Sequence, residues 1–414
     1  MVREGLFYLQ AALGALEPAK RYLTAKRKQK LEAFLASGVR LSFPKPETPK
    51  ATVIIPVYNH AYHTLECLAS LLPVAGSWLE VLVHDDGSSD ETKALLSRCD
   101  NTTVSGSSEN RGYLRSVNAA VDKAGGRFVI LMNNDARFVE GSIRDALAYF
   151  EAQKNCGMMG VRVIQPNGGL QEAGCAVFAD GTSNGYLRFR PPNDPRALFI
   201  RDVDYCSGIF FIVEKKVFQR LGGFDLVYQP AYYEETDFCM RLAEAGLRCV
   251  YHPGLVVEHF EFGSMTGGHL RALINRNRQV FLQRWGDALR RGGHLSRILT
   301  GVSEQAARRL QKHPRRLLVI DYSVCTPQAI AATATGVGAL TLYVAGCSAK
   351  ALEELIRSSG FRHEFARGNS AGAFRSFLAA RRGLFDEIRF NGDKAMRLMR
   401  QNVDLPSGGD GMGR

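Results

Sequence analysis

The sequence lacks the signatures of several common protein classes. Its nine cysteines are scattered, with no C-x-x-C pair and no regular spacing, which fits a reducing compartment better than a disulfide framework. The first residues do not combine a basic start, a long apolar stretch and a small-residue cleavage site, so no secretory signal is expected. The one long uncharged run, residues 322–349, contains proline, threonine and glycine. That composition predicts loop, helix and strand rather than a membrane span.

The sequence also lacks any concentration of its positive charge. The net charge is +12, which favours an anionic partner such as a nucleotide diphosphate or an anionic lipid surface. The excess is spread along the chain, and no homeodomain, zinc-finger or RNP-type pattern accompanies it. Nucleic-acid binding is therefore the least favoured interpretation of this charge.

The chain does contain enough apolar residues for two or three domains, with 414 residues of which 45% are hydrophobic and 23% charged. Residues 1–50 are predicted as an N-terminal helical segment and linker. Pro18 should end or kink the first helix, and a second helix is expected over about residues 19–35. The basic and apolar faces of that second helix suit either packing on its own domain or contact with a membrane surface. A stiff linker is predicted from Pro44, Pro46 and Pro49.

Three apolar segments each lead into polar residues. Strands are predicted at residues 51–57, 79–83 and 127–132, and they run into the motifs YNH at 58–60, DDGSSD at 85–90 and NND at 133–135. Helical segments separate the strands, which describes an open α/β sheet whose ligands bind at the carboxyl ends of its strands. Taken singly, the DDGS sequence at 85–88 is as typical of a turn with an N-cap as of a functional motif, and NND is mostly typical of a turn.

The stretch at residues 232–259 combines an acidic cluster with a terminal histidine. Glu234, Glu235 and Asp237 open an amphipathic helix, and His259 ends the strand after it. In isolation such acids are an N-cap that complements the helix dipole, and such a histidine is a core or surface residue. The functional alternative is a general base and a metal ligand placed by one helix–strand unit.

The domain organisation follows from these segments. Residues 51–290 are predicted as one α/β domain and residues 291–314 as a linker helix. Residues 315–403 are predicted as a small, partial Rossmann-like module, without a phosphate-binding glycine fingerprint. Residues 404–414 are predicted to be disordered.

Five motifs in order carry a resemblance to a known family: VIIPVYN at 53–59, DDGSSD at 85–90, NND at 133–135, GGFD at 222–225 and EETD at 234–237. Over residues 50–285 the sequence resembles family 2 glycosyltransferases, most of all bacterial rhamnosyltransferases and galactofuranosyltransferases. The resemblance implies a GT-A fold, an α/β domain that binds nucleotide-diphospho-sugars, here with N-terminal helices and a C-terminal module that weakly resembles part of a GT-B domain. It also implies a cytoplasmic location, including the inner face of the cytoplasmic membrane.

The resemblance implies roles for individual positions. Nucleotide-sugar binding is implied for Pro56, Tyr58, Asp85, Asp86, Arg111, Asn118 and Asn134. A site for Mn²⁺ or Mg²⁺ is implied for Asp135 and His259, with Asn133 replacing the first acid of the family's D-x-D motif. Acceptor binding is implied for Gly223, Phe224 and Asp237. The role of catalytic base is implied for Glu235, with Glu234 as the alternative.

These residue types suit the chemistry of sugar transfer. A carboxylate within hydrogen-bond reach can take the proton of an attacking hydroxyl. A divalent ion held by carboxylate oxygen and imidazole supplies positive charge for a departing nucleotide diphosphate. The family usually has Asp where this chain has Glu235, which moves the carboxylate out by one methylene.

Three hypotheses follow. The first is an inverting, metal-dependent glycosyltransferase that moves a sugar from a dTDP- or UDP-sugar donor to a glycan or lipid-linked acceptor in bacterial surface polysaccharide synthesis. The second is a catalytically silent subunit that binds sugar nucleotides or glycans. The third is a basic protein that binds a membrane surface or nucleic acid, whose binding would collapse with salt.

Overall fold

The computed structural model describes residues 2–261, 268–292, 294, 315–335, 339–368, 370–380 and 385–401. Two compact units divide the chain. Unit 1 comprises Met1–Pro192 and Val203–Arg291, and unit 2 comprises Asn193–Asp202 and Gly292–Arg414. Residues 295–314 of the predicted linker helix and the predicted tail at 404–414 lie outside the described residues.

Unit 1 contains eight described helices and most of the strands. The helices are α1 (Val2–Ser37), α2 (Ala61–Leu71), α3 (Thr92–Leu96), α4 (Tyr113–Lys123), α5 (Ile143–Ala152), α6 (Lys215–Arg220), α7 (Glu234–Glu244) and α8 (Gly268–Arg291). The strands up to the middle of the unit are β1 (Leu41–Ser42), β2 (Ala51–Val57), β3 (Leu79–Asp86), β4 (Cys99–Asp100), β5 (Thr103–Ser107), β6 (Phe128–Met132) and β7 (Ala136–Glu140). The later strands of unit 1 are β8 (Cys156–Ile164), β9 (Leu170–Ala173), β10 (Cys175–Val177), β11 (Ser183–Gly185), β13 (Phe210–Glu214) and β14 (Arg248–His259). Strand β12 (Arg201–Val203) begins in residues of unit 2 and ends with Val203 of unit 1.

A large mixed sheet forms the centre of unit 1, in the order β14-β8-β13-β6-β2-β3-β5. Strand β2 pairs in parallel with both β3 and β6, and β13 runs antiparallel to β6 and β8. All seven residues of β2 are buried, as expected of a parallel strand covered on both faces. The α/β fold predicted from the sequence is confirmed.

Parallel pairing brings the polar motifs to one edge of the sheet. Because β2, β3 and β6 run in the same direction, their carboxyl ends, and the motifs at 58–60, 85–90 and 133–135 that follow them, meet at one side. This is where ligands bind in open α/β sheets. The chain then crosses from β6 to β7, which pairs antiparallel with β14 and sets Ala136 opposite His259.

The N-terminal segment differs from the prediction at Pro18. One helix, α1, runs through this residue from Val2 to Ser37, so the predicted end at Pro18 is wrong. A proline inside a helix removes one N–H donor and costs about 3 kcal/mol. Packing of the following turns opposes that cost, since Lys20, Arg27 and Leu31 are buried. None of the helices in the described part of the chain is long and apolar enough to cross a membrane.

Unit 2 has a sheet and hydrophobic core of its own. Its strands are β15 (Arg315–Asp321), β16 (Ala339–Ala345), β17 (Glu364–Gly368) and β18 (Glu387–Asn391), all parallel in the order β17-β16-β15-β18. Its helices are α9 (Pro327–Ala334), α10 (Ala349–Ser358), α11 (Ala371–Ala380) and α12 (Asp393–Arg400). Residues 193–202 also belong to this unit, where Leu198 joins the core and the Ile200 N–H donates to the Phe361 carbonyl.

The amino end of α12 in unit 2 is filled by the chain itself. The Asp321 carboxylate accepts hydrogen bonds from the backbone N–H groups of Lys394 and Ala395, at 2.9 and 2.7 Å. Helices α9 and α10 are capped by Thr326 and Ser348. Side chains thus bind backbone N–H groups at these three helix amino ends. In a Rossmann nucleotide site the corresponding N–H groups are free to bind a phosphate.

Asp237 is the electrostatic centre of α7. It is fully buried and accepts hydrogen bonds from Tyr228 Oη at 3.1 Å, Trp285 Nε1 at 2.8 Å and Arg241 Nε at 2.8 Å. Arg284 Nη1 lies 3.1 Å away. The carboxylate thus ties α7 to α8, and its surroundings are protein side chains rather than an open surface.

Replacing Asp237 should therefore destabilise unit 1. We expect Asp237→Asn to lower the free energy of unfolding by about 3–5 kcal/mol, because the buried Arg241 loses its counter-charge. Urea or thermal unfolding followed by circular dichroism measures this. The control Asp225→Asn removes a half-exposed pair with Arg284 and should change stability by less than about 1 kcal/mol. An Asp237→Asn protein as stable as wild type would contradict the structural role.

Candidate functional site

The two acids at the end of β3 fix neighbouring loops, and Asp86 fixes the one that follows β5. Asp86 Oδ1 accepts from Ser107 Oγ at 2.8 Å and from the Arg111 N–H at 2.9 Å, and Oδ2 accepts from the Gly112 N–H at 2.8 Å. Asp85 Oδ1 accepts from the Ser88 N–H at 2.9 Å. Gly112 precedes α4 with φ 91°, a left-handed conformation that favours glycine. The Asp86 carboxylate therefore holds the entry to α4.

A cavity of about 450 Å³ brings three of the predicted nucleotide-binding residues together. Asp86, Arg111 and Asn118 lie in its wall, with the basic Arg115 and Lys123 beside them. The other four predicted residues lie elsewhere. Pro56 is buried in β2 opposite His84, Tyr58 is 45% exposed, Asp85 binds the Ser88 amide, and Asn134 Nδ2 donates to Thr64 Oγ1 at 3.1 Å.

Asn118 binds the GGFD loop through its side-chain amide. Its Oδ1 accepts from the Phe224 N–H at 2.9 Å and its Nδ2 donates to the Phe224 carbonyl at 2.8 Å. Gly223 has φ 65°, and a Cβ there would lie 2.7 Å from Asn118 Oδ1. The Phe224 ring is buried against Phe218 and other aromatic rings. Of the three predicted acceptor residues, Phe224 and Asp237 thus have packing and ion-pair contacts.

The NND motif and the end of β14 form a second cluster. His259 Nε2 lies 3.2 Å from Asp135 Oδ1, and His259 Nδ1 lies 3.0 Å from Gln171 Oε1. Asn133 Oδ1 lies 3.3 Å from the Tyr113 hydroxyl. The structure thus brings Asp135 and His259 together, and it adds Gln171, which sequence analysis did not identify.

The contacts of His259 constrain its protonation. Gln171 Oε1 can only accept, so Nδ1 carries a hydrogen and Nε2 faces the Asp135 carboxylate. A neutral ring would then set two lone pairs against each other, unless a proton or a cation lies between them. Burial alone lowers the pKa of His259, but the charge and hydrogen bond of Asp135 outweigh it, so the pKa is raised.

This donor set fits a divalent ion in part. Carboxylate oxygen and imidazole nitrogen are suitable ligands, and Gln171 supplies the outer contact that typically orients a ligating histidine. Within the described ranges no group of three or more His, Cys, Asp or Glu side chains is arranged to hold a metal. Protein ligands beyond Asp135 and His259 would therefore come from amide or hydroxyl oxygens such as Asn133.

Glu234 and Glu235 begin α7 with buried carboxylates. Tyr232 and Tyr233 precede them, both with φ 75°, an uncommon conformation for non-glycine residues that typically marks a functional site. One oxygen of each glutamate, Oε2, is buried without a hydrogen-bond partner. A helix amino end stabilises negative charge, yet burial prevails here and raises the pKa of both groups.

The pKa values of the two glutamates are raised to different extents. Burial, followed by the charge of Glu235, raises the pKa of Glu234 well above its usual range. Burial raises the pKa of Glu235 to about 7, and the Gly208 N–H limits that rise by hydrogen bonding to the carboxylate. Burial thus raises the pKa of both carboxyls, and the pKa of Glu235 lies near neutral pH.

Two further side chains that sequence analysis missed lie near the acids. The Tyr113 hydroxyl lies 3.4 Å from the Gly208 carbonyl, and its pKa is raised by burial and then by the charges of Glu234, Glu235 and Asp135. Tyr113 therefore stands among both glutamates and the Asp135–His259 pair.

Glu172, on β9, is the second residue that sequence analysis missed. It is buried, and its Oε1 accepts from Ser207 Oγ at 2.5 Å. Burial raises its pKa, and its charge acts on both Glu235 and His259. A Gln-Glu pair in a short strand gave no functional signal, because a buried acid becomes apparent only once the strands are packed.

Comparison with known proteins agrees with this arrangement. Residues 52–222 match the family model described as Glycosyl transferase family 2. The chain is 26% identical over 235 residues to the O-antigen biosynthesis protein RfbC of Myxococcus xanthus, covering 54% of this chain and 18% of RfbC. It is 41% identical over 58 residues to the rhamnosyltransferase WbbL of Escherichia coli K12, covering 14% of this chain and 22% of WbbL. The chain thus spans about a fifth of the length of either relative.

A solved structure shows a looser likeness. The mannosyltransferase PcManGT from Pyrobaculum calidifontis, in complex with GDP-Man and Mn²⁺, has 18% identity and a TM-score of 0.39, covering 96% of this chain and 98% of that chain. A TM-score this low supports no further conclusion about this chain.

Residues 52–222 are thus similar to glycosyltransferase family 2. The family match and the mixed sheet of unit 1 confirm the GT-A fold that the five motifs implied. The relatives include proteins of O-antigen biosynthesis and rhamnosyl transfer.

The buried Glu234 gives a stability prediction. A carboxyl whose pKa is raised on folding stabilises the native state less as pH rises above its unfolded value, near 4.5. Glu234→Gln removes this dependence, so the variant should exceed wild type in stability by roughly 1–3 kcal/mol at pH 8. The difference should shrink towards pH 5.

Thermal unfolding at pH 5, 6.5 and 8 tests this. Glu244→Gln, at the exposed end of the same helix, is the matched control and should track wild type. A Glu234→Gln advantage that is independent of pH would argue against a raised pKa at this residue.

Proposed function

We propose that this protein is an inverting glycosyltransferase that moves a sugar from a nucleotide-diphosphate donor to a hydroxyl of a glycan or lipid-linked acceptor. The observation that carries the proposal is the placement of Glu235. Its carboxylate is enclosed, has one oxygen without a hydrogen-bond partner and a pKa of about 7, and shares the surroundings of Tyr113 with the Asp135–His259 pair.

Glu235 suits the role of general base. Its pKa near 7 leaves a substantial fraction ionised at neutral pH while keeping the carboxylate basic enough to take a proton from an acceptor hydroxyl. The Gly208 N–H hydrogen bonds to the Glu235 carboxylate and favours its charged form. Glu234 suits the role less well, because burial and the charge of Glu235 raise its pKa well above the usual range, which disfavours the ionised form that a base requires. The extra methylene of Glu235 relative to Asp is compatible with a repositioned acceptor.

The leaving group requires positive charge on the other side of the site. Asp135 and His259, with Asn133 as the nearby amide, would hold Mn²⁺ or Mg²⁺, and a divalent ion supplies charge to a departing nucleotide diphosphate. Gln171 keeps the Nε2 lone pair of His259 available for this role. The nucleotide itself, as dTDP or UDP, would lie along the edge formed by the ends of β2, β3 and β6.

The loop that contains Gly223 and Phe224 is the proposed acceptor side of the site. Gly223 is held between Asn118 and Arg241, whose Nη2 donates to the Gly223 carbonyl at 2.8 Å. Phe224 and Asp237 fix this loop from within the unit, so we assign them an indirect role in acceptor binding. The names of the relatives RfbC and WbbL support a surface polysaccharide as the product. Peripheral contact with the inner face of the cytoplasmic membrane accords with a lipid-linked acceptor.

A catalytically silent sugar-nucleotide-binding subunit is the second candidate. The substitution of Glu for the usual Asp at position 235 and the cluster of acids with raised pKa values favour it. Such a protein would bind a nucleotide sugar without turning it over, which the two tests below distinguish.

The first test concerns the base. Glu235→Gln should lower kcat at least about 100-fold, because general base catalysis contributes that much or more, while donor binding is retained. In wild type, kcat/KM should rise with pH and level off above about 7, since the unprotonated carboxylate is the active form.

Turnover of UDP- and dTDP-sugars against a lipid-linked acceptor measures both quantities. Glu244→Gln on the same helix is the matched control and should retain full activity. Wild-type protein that binds donor but shows no turnover would instead establish the silent subunit, and an active Glu235→Gln would exclude this residue as the base.

The second test concerns the metal ligands. Wild-type thermal stability should rise with UDP or dTDP only when Mn²⁺ is present, because a ligand that binds the native state alone raises the midpoint of unfolding. Asp135→Ala should abolish this rise. Asp145→Ala, an exposed acid in α5, should leave it intact. A nucleotide-induced rise that is indifferent to Mn²⁺ would contradict a metal-assisted donor site.

A further inference from the structure

A buried arginine of the N-terminal helix contacts the residues around the proposed metal ligands. Arg27 of α1 is only 8% exposed. Its Nη1 donates to His63 Nδ1 at 2.8 Å and its Nη2 donates to Glu258 Oε1 at 3.3 Å. The guanidinium carbon lies 4.4 Å from the centroid of the Phe260 ring. One side chain outside the matched family region therefore contacts both α2 and the end of β14.

The contacts of Arg27 bracket His259. Glu258 and Phe260 are the residues immediately before and after it, and Arg27 touches both. The Phe260 N–H in turn donates to the Asp135 carbonyl at 3.1 Å. The backbone on either side of one proposed ligand, and its link to the other, thus depend on the same guanidinium.

The surroundings of Arg27 are arranged around its charge. Arginine has only donors, so His63 Nδ1 must accept and the ring must be neutral; burial lowers the pKa of His63 to about 3. The ring of His63 packs on Phe260 at 4.5 Å between centroids. Glu258 is neutralised on its other side by Arg137 Nη2 at 2.9 Å. A partly buried carboxylate between two guanidinium groups holds the strand end in one place.

We propose that Arg27 is a positioning residue for the donor site, which fixes the end of β14 so that His259 faces Asp135 in the geometry a divalent ion requires. The inference rests on the proposed function of the Asp135–His259 pair. Under this proposal α1 contributes to the donor site by positioning the end of β14. Lys20 reinforces the same contact, since its Nζ donates to the Glu261 carbonyl at 3.0 Å.

An arginine is required for these contacts. Its planar guanidinium donates to two acceptors while stacking on an aromatic face, whereas a lysine ammonium is a compact charge that cannot do all three. Arg27→Lys should therefore rescue only part of the loss caused by Arg27→Gln. A second ion pair of α1, between Lys30 and Glu66 at 2.5 Å, involves a lysine side chain that is 59% exposed, so Lys30→Gln is the matched control.

The test measures binding of Mn²⁺ alone to the full-length chain, by electron paramagnetic resonance of the free ion. Arg27→Gln should weaken Mn²⁺ binding by about 10–100-fold, the usual effect of removing an outer-shell contact. Lys30→Gln should bind like wild type. Thermal unfolding is recorded for each variant, and hydrogen exchange is followed in peptides covering residues 133–136 and 256–261.

The outcomes separate positioning from general stability. Weaker Mn²⁺ binding with faster exchange at residues 256–261 in folded Arg27→Gln supports the proposal. A lowered melting temperature with unchanged Mn²⁺ affinity and unchanged exchange overturns it. If wild type binds no Mn²⁺, the proposed metal site fails. Faster exchange in the variant would then still support the positioning role, and unchanged exchange would overturn that role too. Should Arg27→Gln not fold, Arg27→Lys undergoes the same measurements, and wild-type values for it would overturn the proposal.

Discussion

The contact between His259 and Asp135 joins two strand ends that the sheet keeps apart. Strands β14 and β6 are separated by β8 and β13, so their ends meet only because the chain crosses over from β6 to β7, which pairs with β14. Asp135 lies in that crossover. The Phe260 N–H and the Gln171 side chain then hold the contact from both sides. The Asp135–His259 contact thus depends on the connectivity of the sheet as much as on its residues.

Burial is the force that gives the acidic residues their chemistry. Glu234, Glu235 and Glu172 all have raised pKa values, and burial is the main cause for each. Helix amino ends favour ionised acids by about 1 kcal/mol, which is too little to overcome enclosure. A site that raises these pKa values gains a base suited to neutral pH and loses stability whenever the acids ionise.

Several polar side chains of types that commonly bind ligands instead hydrogen bond to other groups of this protein. The Asp86 carboxylate accepts hydrogen bonds from the Ser107 hydroxyl at the end of β5 and from two backbone N–H groups of the loop before α4. The side-chain amide of Asn118 hydrogen bonds to both the N–H and the carbonyl of Phe224. Asp237 is occupied by four donors. Such residues shape a site by fixing loops, so a motif match alone does not separate contact with a ligand from support of the wall around it.

The sequence alone determined the fold class and the order of the polar motifs, because apolar strands and their polar ends are local patterns that any parallel sheet must bring to one edge. The pairing of Asp135 with His259 was implied only by the family resemblance, and the crossover from β6 to β7 is what brings the two residues together. Only the tertiary structure decided which acids have raised pKa values, which residues line a cavity, and that Tyr113, Glu172, Gln171 and Arg27 lie around the two glutamates and the Asp135–His259 pair. The structure also showed that α1 continues through Pro18. These properties depend on burial and on contacts between residues far apart in the chain. Neither produces a repeating pattern that could be recognised in the sequence.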